Sequence, residues 1–524
     1  MRSKLTYVIL PIASGVLTGL PLLYNEAAPL AYVAMIPYFA VLLKCTEKKV
    51  KSAVFFSFLF GLSYKLTAFG WISQMHPLSF TGMSRTASFF VCYGGALLLS
   101  LLFSLPLMLF GFLFRLACGS NVIKRRGFLL IPLAASLWAL LEAAQEIGSL
   151  AVPWARLAVG QAGYGVLIGS AGVFGCLFVG AVTVAVNTSL TLLLFGKSKR
   201  ERAVFASVAV IALLLSVVLS LIAHLGIKEE KTVDIAIIQG NIPTNEKWED
   251  PAISVETYVS MLETLDGDAP DIVFLPETAV TFDITQAPAY LSRIKAFAYR
   301  NGCTVLFGTY MFDEDGRCYN TVREVNESGL TCNFYAKQRL VPFGEYLPYE
   351  DFFDRYLPDV SKLELFSERL NPGGDVCVFE VGDAKIGTLI CFDSLFPSLS
   401  RDSVSAGADL MLIATNDGWF SNTVAVKIHN SAAKVRAVET GRCYIRAANT
   451  GISSVIYPTG EQLYTLPANE RGIIRCEAQL LTGDTLYVKT GNVFTYVCII
   501  FAAAFYCCAA INYITSKNKR RPDK

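Results

Sequence analysis

The chain has 524 residues, of which 53% are hydrophobic and 17% are charged, and its mean hydropathy is +0.46. So apolar a composition excludes a wholly soluble protein and indicates membrane-spanning segments. The net charge of +2 gives no reason to expect a nucleic-acid partner. The sequence has no H-E-x-x-H motif, no paired C-x-x-C motifs and no G-x-x-x-x-G-K loop, which argues against metal hydrolysis and P-loop chemistry.

Eight stretches are long and apolar enough to cross a bilayer, which takes about 20 residues. Seven precede a mostly polar stretch that is long enough for a globular domain with its own core, and one follows it. We predict a bundle of seven spans in residues 1–224, a globular domain in 225–490, and an eighth span with a basic tail in 491–524. The predicted spans lie near residues 4–24, 28–44, 52–72, 88–114, 127–147, 164–195, 204–224 and 492–513.

Lys and Arg are distributed unevenly over the ends and loops of these spans. One alternating set of segments holds nineteen of them, whereas the short loops of the other set hold Arg85 and Arg156. Basic loops remain in the cytoplasm, so the pattern predicts cytoplasmic termini and an external domain at 225–490. The nineteen are Arg2, Lys4, Lys44, Lys48, Lys49, Lys51, Arg115, Lys124, Arg125, Arg126, Lys197, Lys199, Arg200, Arg202, Lys517, Lys519, Arg520, Arg521 and Lys524.

Within the polar stretch, strand-like runs alternate with helix-like runs, which is typical of α/β layering. Strands are predicted near residues 232–241, 271–278, 303–311 and 408–417, a hairpin near 376–391, and helices near 252–265, 287–300, 394–406 and 425–440. Several of the strand-like runs end in polar residues. Because sites in α/β folds lie at the carboxyl ends of strands, these residues are the first functional candidates.

Three of the candidates complement one another chemically. A thiol such as Cys391 has a usual pKa of about 8.5 and needs a base before it can attack a carbonyl carbon. Glu277, partly desolvated beside a buried strand, is suited to be that base, and Lys337 can stabilise an oxyanion. Each residue alone has an ordinary alternative: a surface glutamate, a solvated lysine and a core cysteine. Together the three predict nucleophilic acyl chemistry.

The motifs around these residues resemble a known signature. "FLPET" (274–278), "YAKQRLVPFGEYLP" (335–348) and "GTLICFDSLFP" (387–397) resemble the Glu-Lys-Cys signature of the nitrilase superfamily. With the eight spans, "QGNIPTNEKW" (239–248), "NDGWF" (416–420) and "RAVETGRCYIRAANTGISSVI" (436–456), the chain is similar to the membrane-embedded branch of that superfamily, the bacterial apolipoprotein N-acyltransferases. The resemblance covers nearly the whole chain, and its motifs are specific in combination.

The resemblance implies a fold and a set of residue roles. The fold is a nitrilase-like αββα sandwich of the α/β class, inserted between the seventh and eighth helices of an eight-helix transmembrane bundle. Glu277 would be the general base, Lys337 the oxyanion stabiliser and Cys391 the nucleophile. Supporting or substrate-binding roles would fall to Trp248, Glu345, Phe392, Asp393 and Asn416.

The chain departs from the family pattern directly after the predicted nucleophile. The family usually has Tyr-Glu there, whereas this chain has Phe392-Asp393, which removes a hydroxyl and shortens the carboxylate arm by one methylene. We expect Asp393 to orient the lysine or neighbouring backbone. The backbone N–H beside Cys391 is expected to join Lys337 around the oxyanion.

The implied reaction is an acyl transfer in two steps. An acyl chain would pass from a phospholipid to Cys391 as a thioester, and then to the α-amino group of the N-terminal diacylglyceryl-cysteine of a lipoprotein. The resemblance implies neither a cofactor nor a metal, no nucleic-acid partner, a monomer, and a multi-pass protein of the bacterial inner membrane with a periplasmic catalytic domain. Two alternatives remain open: a membrane-anchored amidase or nitrilase that uses water as acceptor, and a non-enzymatic protein with an inactive domain.

Further residues carry weaker hypotheses. Glu142 and Glu146 are expected in the headgroup layer because they lie near the end of a span. Arg156 could touch a lipid phosphate from an outer loop. The aromatic run at 342–356 is interpreted as a lid or membrane-dipping arm, with ordinary core aromatics as the alternative. His429 is expected to be a hydrogen-bonded helix histidine.

Overall fold

The computed structural model describes residues 2–44, 50–78, 82–356, 370–420 and 423–518. Within these residues, eight helical segments are long and apolar enough to span a membrane, seven before the sheets and one after them, which confirms the predicted order. The membrane helices are Arg2–Leu23, Ile36–Lys44 with the preceding 3-10 helix Asn25–Tyr32, Val50–Phe69, Arg85–Gly119, Leu130–Ala143, Cys176–Phe195, Lys199–Ile222 and Val493–Asn518.

The sixth span begins later than predicted. The predicted span includes residues 164–175. In the structure these residues contain the short helices Gly165–Ile168 and Ala171–Phe174, and the long helix begins at Cys176. Gly175 has a φ of +79°, a backbone conformation that interrupts an α-helix and that glycine adopts without strain. The prediction was wrong because hydropathy cannot distinguish a broken apolar helix from a continuous one.

Among the described residues between the seventh and eighth spans, thirteen strands form two sheets. They are β1 Lys228–Gln239, β2 Ile272–Phe274, β3 Val280–Asp283, β4 Thr304–Phe312, β5 Cys318–Asn326, β6 Gly329–Ala336, β7 Val378–Val381, β8 Ala384–Ile390, β9 Leu410–Thr415, β10 Cys443–Ala448, β11 Ser453–Ile456, β12 Gln462–Leu466 and β13 Gly472–Thr482. The first sheet has the order β13-β1-β2-β4-β5-β6, with β3 paired to β4, and the second has the order β12-β11-β10-β9-β8-β7.

Side-chain alternation along β1 shows how the layers stack. Ile235 and Ile237 point into an apolar core between the two sheets, where they meet side chains of the second sheet such as Leu412. Ala236 and Ile238 point the other way, into a core shared with the helices that cover the first sheet. A strand buried on both faces reads as a continuous apolar run, as this one does in the sequence.

The second sheet is covered in the same way on its outer face. Met411 and Ile413 on β9 pack with Ile428 and Ala432 of a covering helix, while Leu412 faces the inter-sheet core. The four layers therefore follow the order helix, sheet, sheet, helix, which confirms the predicted αββα sandwich. The helices of this region are Thr244–Glu249, Pro251–Glu263, Pro288–Asn301, Glu350–Tyr356, Pro397–Ser405, Ala425–Thr440 and Leu486–Thr490.

The sandwich contacts the bundle through the segments that follow spans one, three and five. Trp71, at the end of the third span, lies edge-on against Phe420 with ring centroids 5.1 Å apart. The Tyr346 hydroxyl donates to the carbonyl oxygen of Ser149, and Asn25 lies within hydrogen-bond distance of Ser431. These connecting segments belong to the set that is poor in Lys and Arg.

Candidate active site

The predicted residues lie where strands end. Glu277 follows β2, Lys337 follows β6, Cys391 follows β8 and Asn416 follows β9. Because β8 and β9 are parallel neighbours, their carboxyl ends emerge at the same edge of the second sheet. The first sheet faces that edge, so residues far apart in the sequence converge on one buried site.

Lys337 lies between two carboxylates. Its Nζ atom donates to Oε1 of Glu277 at 3.0 Å and to Oε1 of Glu345 at 2.5 Å. The lysine side chain is 1% exposed, and the side chains of Glu277 and Glu345 are 6% and 19% exposed. The other oxygen of Glu345 accepts the backbone N–H of Val341 at 2.8 Å, which fixes that carboxylate within its own loop.

Two further donors hold Glu277. The side-chain amide of Asn320 on β5 donates to Oε1 at 2.8 Å, and the backbone N–H of Asn416 donates to Oε2 at 2.8 Å. Asn416 therefore acts through its main chain, while its side-chain oxygen accepts from Asn449 at 3.1 Å. Together with Lys337, these donors fix the carboxylate plane of Glu277, as a positioned base requires.

Electrostatics keep the lysine charged. Burial by itself would lower the pKa of Lys337, but Glu277 and Glu345 raise that pKa well above its usual value. Burial raises the pKa of Glu345, although the Lys337 ammonium opposes the rise. Lys337 is therefore charged at neutral pH, and Glu345 takes up a proton more readily than an exposed glutamate would.

Cys391 stands on a strained turn. Its φ of +49° is unusual for a residue with a side chain, and a 3-10 turn at Cys391–Leu395 follows. Burial and the charge of Glu277 raise the pKa of the thiol, while Lys337 lowers it. The resting sulfur is therefore protonated, and it needs a base to become a nucleophile.

The two residues after Cys391 take different positions. The Phe392 ring packs edge-on against Phe396 at 5.4 Å within an apolar cluster. The Asp393 carboxylate accepts the Tyr335 hydroxyl at 2.9 Å and the backbone N–H groups of Arg339 and Ile390 at 2.7 and 3.1 Å. Asp393 thus binds the backbone on both sides of the site, as expected from its place beside the predicted nucleophile.

A charged network lies behind Cys391. His429 Nδ1 is 2.9 Å from Asp417 Oδ1, and His429 Nε2 is 3.1 Å from the carbonyl oxygen of Cys391. Arg446 donates to Asp417 Oδ2 at 2.5 Å, and Arg446 and His429 hold the pKa of Asp417 below its usual value although burial opposes this. One donor atom from each of Cys391, Asp417 and His429 lies within 4.8 Å of the others, a spacing that suits a metal ion, and Asp417 and His429 are already hydrogen-bonded to each other.

Trp248 and the aromatic run at 342–356 differ in exposure. Trp248 stacks on Tyr310 with ring centroids 6.2 Å apart, and its buried Nε1 has no hydrogen-bond partner among the residues that the structure describes. In the run at 342–356, the rings of Phe352 and Tyr356 are exposed. Exposed aromatic side chains are compatible with an arm that meets lipid, and the lid stays a prediction.

In the bundle, two expectations were wrong. Glu142 is 3% exposed and accepts from the Trp138 indole and the Leu157 backbone N–H, each at 3.0 Å, so it lies in the bundle interior instead of the headgroup layer. Arg156 is buried too, where it pairs with Glu146 and is shielded from lipid phosphate. Sequence position near a span end could not show that these side chains face the protein interior.

Two family models match the chain: the apolipoprotein N-acyltransferase N-terminal domain at residues 14–189 and the carbon-nitrogen hydrolase at residues 234–484. The apolipoprotein N-acyltransferase of Geobacter metallireducens is 31% identical to this chain, and the alignment covers 94% of each. The chain belongs to the apolipoprotein N-acyltransferase family. The apolipoprotein N-acyltransferase of Thermotoga maritima is 28% identical, over 95% of this chain and 93% of the relative.

Two solved structures each resemble about half of this chain. A carbon-nitrogen hydrolase superfamily protein from Xanthomonas campestris is 19% identical, with a TM-score of 0.37 over 48% of this chain and 91% of that chain. The NitN amidase from Nesterenkonia sp. AN1 is 19% identical, with a TM-score of 0.38 over 50% of this chain and 98% of that chain.

Sequence reasoning missed several residues of this apolipoprotein N-acyltransferase family site. Asn320 lies in the middle of β5, and no motif distinguishes it from other strand residues. Lys247 directly precedes the predicted Trp248, so a recognisable motif already contained it. Asp417 and Arg446 also lie within quoted motifs, but their partnership with His429 depends on chain segments that meet only in the folded protein.

Proposed function

We propose that this chain transfers an acyl chain from a phospholipid to the α-amino group of the N-terminal diacylglyceryl-cysteine of lipoproteins, through a thioester on Cys391. The observation that carries the proposal is the convergence of Cys391 with Glu277 and Lys337 in one buried site. The names of the relatives support lipoproteins as the acceptor class. Eight candidate membrane spans support a substrate that resides in the bilayer.

In the first half-reaction, Glu277 takes the proton from the Cys391 thiol, and the sulfur attacks the ester carbonyl of the phospholipid. Lys337 stabilises the oxyanion that develops, together with backbone N–H donors of the turn. The carbon–oxygen bond then breaks, and the proton on Glu277 passes to the lysophospholipid that leaves. A thioester remains on Cys391.

In the second half-reaction, the α-amino group of the lipoprotein attacks the thioester carbonyl. Glu277 takes a proton from the attacking nitrogen, the carbon–sulfur bond breaks, and the thiolate of Cys391 is reprotonated. The product is an amide, and the two substrates alternate in ping-pong order. Between the steps, water must be kept from the thioester, because its hydrolysis would waste the acyl group.

The proposed reaction explains why the catalytic domain is attached to a membrane bundle. Each buried methylene is worth about 0.8 kcal/mol, so moving a chain of about 15 methylenes into water would cost on the order of 12 kcal/mol. An enzyme that meets its lipid at the bilayer avoids that cost. The contacts of Trp71 and Trp154 with Phe420 place the sandwich directly on the bundle.

The distribution of charge supports an external active site. The sandwich contacts connecting segments of the set poor in Lys and Arg, whereas the basic segments lie at the opposite ends of the spans. We propose that the catalytic domain, at residues 225–490 between bundle parts 1–224 and 491–524, is periplasmic, with both termini in the cytoplasm. We further propose that the chain acts as a monomer on the inner membrane, without nucleic acid.

The decisive experiment is intact-mass analysis of the purified protein after exposure to phosphatidylethanolamine. We expect a mass increase of one acyl chain, its loss when a diacylated lipopeptide is added, and the appearance of an N-acylated peptide. Release of free fatty acid without amide product would instead establish a hydrolase that uses water. Absence of any acyl adduct in either step would refute the proposed thioester.

A further inference from the structure

Lys247 is a buried lysine that the proposed reaction does not use. It lies on the short helix Thr244–Glu249, its side chain is fully buried, and it is separated from Glu277 by 30 residues of sequence. A lysine is almost never fully buried unless its amino group is paired. The partners of that amino group therefore show what the residue does.

Those partners belong to the turn that carries the proposed base. The Nζ atom of Lys247 donates to the side-chain hydroxyl of Thr278 at 2.8 Å and to the carbonyl oxygen of Glu277 at 3.3 Å. Neither acceptor is the Glu277 carboxylate: one is a main-chain oxygen and the other is the hydroxyl of the next residue. Lys247 thus holds the main chain of the turn, whereas Lys337 holds the carboxylate itself.

The turn needs such support because its backbone is strained. Thr278 has a φ of +47°, a conformation that is a genuine outlier for a β-branched residue. Strain of this kind costs on the order of 1–3 kcal/mol and persists where surrounding contacts impose it. The close approach of Gly308 on β4, where an added Cβ would meet Pro276 O at 2.4 Å, supports the turn from the other side.

We infer that Lys247 is a positioning residue for Glu277: its hydrogen bonds to the Glu277 carbonyl and the Thr278 hydroxyl fix the strained turn that aims the base at Cys391. The inference rests on the proposed role of Glu277. Burial lowers the pKa of Lys247 to about 7 while Glu277 opposes the change, but both the ammonium and the neutral amine carry N–H groups. The hydrogen bonds that Lys247 donates can therefore form at pH values below and above that pKa.

The test is a double-mutant cycle on the rate of acyl-enzyme formation. Full-length wild type, Lys247→Met, Glu277→Gln and the double variant are mixed with phosphatidylethanolamine, and thioester formation is followed by intact mass. Lys247→Met is expected to slow the step by about 100-fold with little change in the KM for the lipid, because a base misplaced by about 1 Å costs that much. In the Glu277→Gln background, Lys247→Met is expected to have no further effect.

Two controls keep the cycle interpretable. Lys385→Met removes an exposed lysine from β8 and is expected to leave the rate unchanged. Thr278→Ala removes one acceptor of Lys247 and is expected to give an intermediate loss, which covers the case in which Lys247→Met does not fold.

The outcomes separate this inference from the proposed function. If Lys247→Met slows the reaction equally with and without Glu277, or leaves the rate of a folded protein unchanged, Lys247 does not act through the base. If Glu277→Gln itself forms the thioester at the wild-type rate, the proposed role of Glu277 fails instead.

Discussion

The backbone N–H of Arg339 donates a 2.7 Å hydrogen bond to Oδ1 of Asp393. Arg339 lies two residues after Lys337, and Asp393 lies two residues after Cys391. This carboxylate therefore ties the loop of the proposed oxyanion stabiliser to the turn of the proposed nucleophile. A second bond, from the Ile390 N–H at 3.1 Å, fixes the turn at its start.

Asp393 gives a prediction about pH. Burial raises its pKa from 3.8 to about 6, against the opposing effects of Lys337 and three hydrogen bonds. The folded protein thus binds this proton more tightly than the unfolded chain, so the contribution of Asp393 to the free energy of unfolding falls by about 3 kcal/mol in total as pH rises from about 3 to about 7, and is constant above that.

The measurement is thermal unfolding of wild type and Asp393→Asn in detergent between pH 4 and 8. Relative to wild type, we expect the variant to gain stability as pH rises from 4 to about 7 and to show a constant difference from about 7 to 8. Parallel curves over the whole range would mean that Asp393 has no raised pKa.

Cys391→Ala is expected to abolish the acyl adduct and to lower amide formation by roughly three decades or more. The reason is that the proposed thioester forms on the sulfur of Cys391, which alanine lacks. Removing one sulfur from a buried turn should change the melting temperature little. Intact mass after exposure to phospholipid measures the adduct, with Cys443→Ala, a buried cysteine on β10, as the matched control. An adduct that persists in Cys391→Ala would place the acyl group elsewhere.

Glu277→Gln keeps the size of the side chain but removes its ability to accept a proton. We expect thioester formation to slow by about 10²–10⁴-fold, the range for loss of a general base. Rapid-quench sampling can measure each half-reaction separately. If the variant forms the thioester normally and is slow only in transfer to the lipopeptide, the base of the first half-reaction is another group.

Lys337→Met removes the cation between two buried carboxyl groups. Leaving buried charges without a partner typically costs about 3–5 kcal/mol, so the free energy of unfolding should fall by that amount at neutral pH. The loss should shrink as pH falls, because burial raises the pKa of Glu345 and protonation of that carboxylate removes an unpaired charge. Thermal unfolding at several pH values, with Lys385→Met as the surface control, measures the size of the stability loss and the direction in which it changes with pH. A loss that is independent of pH would contradict the explanation by charge.

The bundle offers a separate prediction. Lys65 and Glu142 are both buried and line one cavity between the third, fourth and fifth spans. Charged residues inside a membrane bundle are costly unless opposite charges compensate them. Lys65→Met and Glu142→Gln should each lower the melting temperature, and the double variant should lose less than the sum of the two. Additive losses would show that the two groups do not compensate each other.

Much of this architecture was predictable from contiguous residues. The eight spans, the α/β alternation and the positions of Glu277 and Cys391 at the ends of strands follow from local hydropathy and period. The start of the sixth span was not predictable in this way, because a single Gly175 with positive φ breaks an apolar stretch without changing its composition.

The supporting contacts required the folded chain. Nothing near Asn320 in the sequence shows that its amide meets Glu277, since the pairing depends on how β5 lies beside the turn after β2. The burial of Glu142 likewise depends on which face of its helix turns inward.

The sequence by itself determined the kind of chemistry and its place at a membrane, because side-chain type and hydropathy are properties of the residues themselves. Only the tertiary structure decided which groups hold Glu277, Lys337 and Cys391 in place. Hydrogen bonds require their partners to lie within about 3 Å of each other, and such distances are set by packing between segments that are remote along the chain.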